Sequence, residues 1–202
     1  MREVPMLFNT EMVKAILDGR KTQTRRLIKG LPLIEPYATV EDGQLLISDE
    51  NGEWYHAERF SKILPGDVIW VRETWCHVKF GLGEWHYEYR ADCSDPRRWS
   101  NGSFAEWRPS IHMPREAARL FMKVNDVRAE RLKDMSPEDC ANDGGFDPEA
   151  VKAVGIAPLF GTLWDSTVKK ADLPRYGWDA SPWVWVIEFE RMEATTWDAI
   201  RL

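Results

Sequence analysis

Four cations fall within seven residues in the segment Gly19-Arg20-Lys21-Thr22-Gln23-Thr24-Arg25-Arg26, at Arg20, Lys21, Arg25 and Arg26. The hydroxyls of Thr22 and Thr24 are interleaved with them. Cations of this kind suit phosphate or an electron-rich base edge, and hydroxyls add directional hydrogen bonds. A lysine beside a hydroxyl is also a workable nucleophile-activating pair once the lysine is desolvated. The plainer alternative is a solvated basic loop after a helix.

A second group is thinner. Asp143 precedes Gly144-Gly145 at the expected end of a helix, where the backbone field opposes a negative charge. A carboxylate there costs stability unless a cation answers it, and Lys21 is a candidate partner. The competing reading is a turn with a solvated aspartate. Glu73 lies at the end of a strong strand pattern, between Arg72 and Thr74. Trp75, Tyr89 and Trp107 are candidates for stacking on a base, set against the commoner role of core or rim aromatics. Ser110 and His112, in Ser110-Ile111-His112-Met113-Pro114, offer polar groups, and a histidine can exchange protons near neutral pH. His56, His77, His86 and His112 with Cys76 and Cys93 match no metal-ligand spacing, so neither a metal nor a cofactor is expected.

The elements that must position these residues follow from periodicity and breakers. Phe8 to Gly19 reads as a helix, capped by Asn9 or Thr10, with Met12, Val13, Ile16 and Leu17 on one face. The basic segment starts at its C-terminus. Residues 31–62 look like an insert, with hairpin dipeptides Asp42-Gly43 and Asn51-Gly52 beside short strands at Leu45 to Ile47 and Trp54 to His56. Val68 to Trp75 and Trp85 to Arg90 read as strands, and 92–110 as a long loop. Arg119 to Leu132 reads as one extended stretch. Ser136-Pro137-Glu138-Asp139 is a helix start, and Asp147-Pro148 starts another short helix that closes near Gly155. Leu159 to Lys170 reads as a third in this region, and Trp183 to Arg191 as a final strand. No β-α-β rhythm repeats. The expectation is therefore an α+β domain, mainly antiparallel, or a small barrel with helices at its ends.

The bulk properties set limits. The 202 residues suit a single domain with one sizeable core, here 1–202 with inserts near 31–62 and 144–182. No apolar run approaches the ~18 residues that would cross a bilayer. Met1-Arg2-Glu3-Val4-Pro5 lacks the layout of a signal peptide. The three cysteines, Cys76, Cys93 and Cys140, form no Cys-x-x-Cys pair. A cytoplasmic protein without a membrane partner is expected. The net charge of -6 argues against a protein that coats nucleic acid indiscriminately.

Taken in order, the landmarks resemble one family. They are the helix followed by Gly-Arg-Lys-Thr-x-Thr-Arg, then Pro65-Gly66-Asp67-Val68, Trp70 to Trp75, Ser110 to Pro114, Ser136-Pro137-Glu138-Asp139, and Pro182 to Phe189. Together they resemble the ASCH domain family of the PUA-like superfamily, in its phage and prophage branch, over nearly the whole chain. The resemblance implies a PUA-like mixed or antiparallel β-barrel with flanking helices and a cleft facing the segment after the first helix. It implies binding of RNA or of a modified nucleoside or nucleotide, with Arg20, Arg25 and Arg26 anchoring ribose or phosphate. Some members are amidohydrolases that deacetylate N4-acetylcytidine with a Lys, a Thr and a Glu, and at least one other is described as a metal-dependent ribonuclease. On that pattern Lys21 and Thr24 match, and Asp143 stands where the family has glutamate, one methylene shorter. The remaining alternative is a phage accessory protein acting through protein contacts.

Overall fold

The computed structural model describes residues 1–29, 38–42, 44–48, 51–79, 85–95, 97 and 106–193. In chain order the strands are β1 (Glu3–Leu7), β2 (Gln23–Leu27), β3 (Ala38–Glu41), β4 (Gln44–Ser48), β5 (Trp54–His56), β6 (Val68–Arg72), β7 (Trp75–Lys79), β8 (Trp85–Tyr89), β9 (Phe121–Arg131) and β10 (Trp183–Arg191). The α-helices are α1 (Thr10–Leu17), α2 (Pro137–Gly144), α3 (Pro148–Val154), α4 (Thr162–Thr167) and α5 (Leu173–Tyr176). This is an α+β fold whose sheets are mainly antiparallel. Among the described residues no sheet closes into a barrel, and no helix is long and apolar enough to cross a membrane.

The chain packs as two compact units. One holds the described residues of Met1–Gly19, Gly66–Lys123 and Glu190–Leu202, and the other those of Arg20–Pro65 and Val124–Phe189.

In the first unit, β1 runs parallel to β6, and β6 pairs antiparallel with the opening residues of β9, with Trp70 opposite Phe121. Helix α1 begins where Asn9 accepts a hydrogen bond from the Met12 amide at 2.8 Å, and it buries Val13, Ala15 and Ile16. Gly19 takes the left-handed conformation (φ 73°) that ends the helix without a Cβ clash. The stretch Val68 to Trp75 is not one strand, as its composition suggests, but β6 and β7 broken at Glu73 and Thr74. The Glu73 amide donates to the Met113 sulfur at 3.2 Å and the Thr74 carbonyl accepts from the Arg90 amide at 2.9 Å. Strand pairing is interrupted there, and β7 continues as a hairpin with β8.

The second unit contains β10 paired antiparallel with β2, in a register that sets Val186 opposite Arg25 and Ile187 opposite Thr24. A separate three-stranded sheet, β3-β4-β5, occupies the region read as an insert. Its first turn includes Asp42 at positive φ, while Gly43 lies outside the described residues. Leu132, Met135, Cys140, Val151, Phe160, Trp164, Val184 and Val186 form one core between the helices and β10. A second core gathers Ile28, Leu45, Ile47, Ala57 and Trp183 under the small sheet. The expected helix from Leu159 to Lys170 is shorter. Widened turns at Ala157–Gly161 lead into α4, and Val168 is extended.

Candidate functional site

Helix α2 starts as its sequence dictates. The Ser136 hydroxyl accepts from the Asp139 amide at 3.1 Å, and Asp139 Oδ2 accepts in return from the Ser136 amide at 3.1 Å. Gly145 closes the helix in the left-handed region at φ 67°. Every α-helix leaves its last carbonyls without intrahelical partners. Here the basic segment supplies several. The Thr22 amide donates to Asn142 O at 3.0 Å, Lys21 Nζ donates to Asp143 O, and Arg20 Nη1 donates to Gly145 O. The segment follows α1 in sequence, but it is the end of α2 that its donors satisfy.

Lys21 is the centre of the arrangement. Its Nζ donates to Asp143 Oδ1 at 2.7 Å and to Gln23 O at 2.9 Å, besides Asp143 O. The side chains of Lys21 and Asp143 are 0% and 3% exposed. Burial holds the Lys21 ammonium below its ordinary range, against the pull of Asp143, and the charges of Arg26 and Arg25 lower it further. A carboxylate at a helix C-terminus meets an unfavourable field, and Lys21 offsets it.

Strand β2 sets the rest. Gln23 and Arg25, two apart, reach the α2 side. Gln23 Nε2 donates to both the carbonyl and Oδ1 of Asp139 at 2.9 Å. Arg25, fully buried, faces three carboxylates: Glu130 at 3.2 Å, Asp143 at 3.4 Å and Asp139 at 3.5 Å. Arg128 extends the network to Glu130, Glu188 and Asp126. Hydrogen bonds from Gln23 and Ser136, and the charge of Arg25, hold the Asp139 carboxyl below its usual value despite its burial. The cations are thus largely spent on internal carboxylates. Thr24 is buried too, but strand alternation turns it to the opposite face from Gln23 and Arg25. The second unit therefore brings Lys21, Arg25 and Asp143 together and leaves Thr24 across the strand. Arg26 is half-buried and Arg20 exposed.

The other candidates lie in the first unit. Glu73, 1% exposed, is held by Arg119 through two bonds of 2.9 and 3.0 Å. Burial pushes the Glu73 carboxyl up, and Arg119 opposes that. Arg119 also binds Asp92 at 2.6 Å and lies over the Tyr89 ring at 3.9 Å. Tyr89 donates its hydroxyl to Ala117 O at 2.7 Å, and burial pushes it up to about 12. Trp75 packs with Met113 and Ala117 against Tyr87 and Tyr89. So Glu73, Trp75 and Tyr89 share one neighbourhood. Ser110 and His112 sit on a short turn, half-buried and exposed respectively, and Trp107 is half-buried. Among the described residues no cluster of histidine, cysteine and carboxylate side chains could hold a metal ion.

Sequence reasoning passed over Gln23, Glu130, Asp139, Arg128 and Arg119. Asp139 carried a signal: it lies four residues before Asp143, hence on the same helix face. Gln23 carried another, in its alternation with Arg25. Arg119 carried none, because its partners Glu73 and Asp92 are distant in sequence. Compared with known proteins, the chain matches no family model, no curated protein and no solved structure.

Proposed function

We propose that this protein binds a nucleoside-sized ligand at the segment Gly19-Arg26 and removes an acyl group from the amine of its base, with Lys21 and Asp143 as the acid–base pair. The observation that carries the reading is the hydrogen bond of 2.7 Å between Lys21 Nζ and Asp143 Oδ1 in a setting closed to solvent. Burial disfavours separated charges, so passing one proton from Nζ to Oδ1 leaves a neutral amine beside a neutral acid. Once the bound ligand displaces the cover over this pair and brings one water to it, the amine takes a proton from that water as the water oxygen bonds to the acyl carbon. The carbon–nitrogen bond breaks, the same proton goes to the leaving nitrogen, and the products are the free base amine and the carboxylic acid. The resemblance to amidohydrolases of the ASCH type, and with it a PUA-like barrel, belongs to this proposal.

The burial of Lys21 and Arg25 also weighs against a polymer groove on this segment, since a phosphate chain needs cations that solvent can reach. One observation favours a second reading, binding without turnover. The three hydrogens of the Lys21 ammonium all have acceptors, as a purely structural clasp would require. Incubation with N4-acetylcytidine separates the two. The expected result is release of cytidine and acetate by the wild type, a loss of about a hundredfold or more in Lys21→Ala, and a smaller loss in Thr24→Val. Binding without release supports the clasp, and neither binding nor release refutes both.

A further inference from the structure

Strand β8 pairs only with β7 among the described residues, so one of its edges is open. Which backbone groups face that edge follows from the register. The Arg90 amide donates to Thr74 O at 2.9 Å, so Thr74 and Arg90 form a hydrogen-bonded pair. Such pairs alternate along an antiparallel ladder, which makes Cys76 with Glu88 and Val78 with His86 the next ones. The amides and carbonyls of Trp85, Tyr87 and Tyr89 therefore point to the open edge. The same alternation turns the backbone of Trp75 away from β8, where it exchanges bonds of 3.2 and 2.7 Å with Arg108. Tyr89 O accepts from the Cys93 thiol at 3.6 Å and keeps a second lone pair. Open edges invite strand addition and are commonly blunted with proline or lysine. Strand β1, at the end of its own sheet in the same unit, is blunted in this way. Arg2 O accepts from Val68 N at 2.9 Å and Phe8 N donates to Arg72 O at 3.1 Å, which turns Pro5 to the outside. Strand β8 contains neither proline nor lysine.

The sequence of β8 is complementary to itself. With Tyr87 on a two-fold axis, antiparallel pairing sets Tyr87 opposite Tyr87 of a second copy, His86 opposite Glu88 of that copy, and Trp85 opposite its Tyr89. The tyrosine and tryptophan positions are those with backbone groups on the open edge, so they form the hydrogen-bonded pairs. On one face a histidine N–H then meets a carboxylate, twice, in either protonation state of the ring. His86 and Glu88 also interact within their own chain, and a carboxylate accepts more than one donor. The other face carries a ladder of rings. Centroids step 5.7 Å from Trp75 to Tyr87, 4.7 Å from Tyr87 to His77 and 4.8 Å from His77 to Trp85. Trp85 ends the ladder 59% exposed, and Tyr89 of the second copy would cover it. At the Tyr89 end, the charge of Arg119 is answered by Glu73 and Asp92.

We propose that β8 joins β8 of a second copy, antiparallel about Tyr87, so that two β7–β8 hairpins make one continuous sheet in a homodimer. Moving the axis to Glu88 sets two carboxylates opposite each other, and moving it to His86 sets two histidines opposite each other. The axis at Tyr87 alone gives each of them the other. The proposal concerns the first unit and does not rest on the acyl-hydrolysis reading.

The test is sedimentation velocity of the full chain over a concentration series. The expected result is a monomer that converts to a dimer as concentration rises. His86→Glu places like charges opposite each other twice and should weaken the dimer about tenfold. Combining it with Glu88→His exchanges the two groups and should restore most of the affinity. Tyr87→Cys should form a covalent dimer on oxidation, since opposed Cα atoms in a hydrogen-bonded pair stand about 5.5 Å apart, within disulfide reach. Lys79→Cys, two strands away from its counterpart, should not. Circular dichroism checks that each variant is folded. A wild type that stays monomeric, a folded His86→Glu variant that dimerises as well as the wild type, or an exchange variant without recovery overturns the proposal. Absence of the disulfide in Tyr87→Cys, or equal cross-linking of Lys79→Cys, overturns the register.

Discussion

Lys21 carries a charge that its surroundings oppose and its partners hold. Taking one partner from a buried pair leaves the other uncompensated. Lys21→Met should therefore destabilise the fold by about 3–5 kcal/mol, read as a shift in the urea midpoint. Asp143→Leu combined with it should cost less than the two single changes added together, because the pair is then removed whole. Arg25 keeps Glu130 and Asp139 in that double variant. The pH dependence has a definite sign. The folded-state value for Lys21 lies below the ordinary 10.5, so the unfolded chain binds more protons between the two values. Stability then rises with pH from the lowered folded-state value up to the ordinary one, and Lys21→Met should abolish this contribution. A wild type without the extra rise relative to the variant would refute the assignment of a burdened lysine.

At the scale of elements, α2 ties the site together. Its first turn holds the capping box, its middle face presents Asp139 to Gln23 and Arg25, and its last carbonyls take the donors of the basic segment. Ser136→Ala removes one cap and should cost about 1 kcal/mol. Asp139→Ala removes the reciprocal cap together with the contacts to Gln23 and Arg25, so it should cost distinctly more in the same denaturation experiment. Equal losses would mean that Asp139 serves only the helix start. The break between β6 and β7 is a comparable device in the other unit. It turns Glu73 inward to Arg119, and it lets β7 pair with β8 to form the ring ladder.

For the whole molecule, charge decides what it does not hold. The net charge is -6, and Lys21 and Arg25 are neutralised within the fold. Retention of double-stranded RNA at about 0.15 M salt should therefore be negligible, since binding is driven by the counterions that solvent-facing cations release from phosphates, and that drive weakens as salt rises. A filter-binding or mobility-shift experiment at that salt checks this, and strong retention would contradict it. The three cysteines are buried as free thiols.

Local chemistry alone determined much of this protein. The start of α2 at Ser136-Pro137, its end at Gly145, a cap for α1 at Asn9 or Thr10 (the structure uses Asn9) and the strand Trp183–Arg191 are legible in the residues, because caps, breakers and alternation act within a few positions. That Asp143 needed a cation was legible for the same reason: the field at a helix end is local. Which cation answers it, and what the basic segment does, only the tertiary structure decided. Lys21 and Asp143 stand 122 positions apart, and Arg25 meets Glu130 across 105. Charge counts cannot tell a solvated cation from a buried one, because burial depends on which surfaces pack together. The segment that reads as a basic patch after one helix is instead the closure of another.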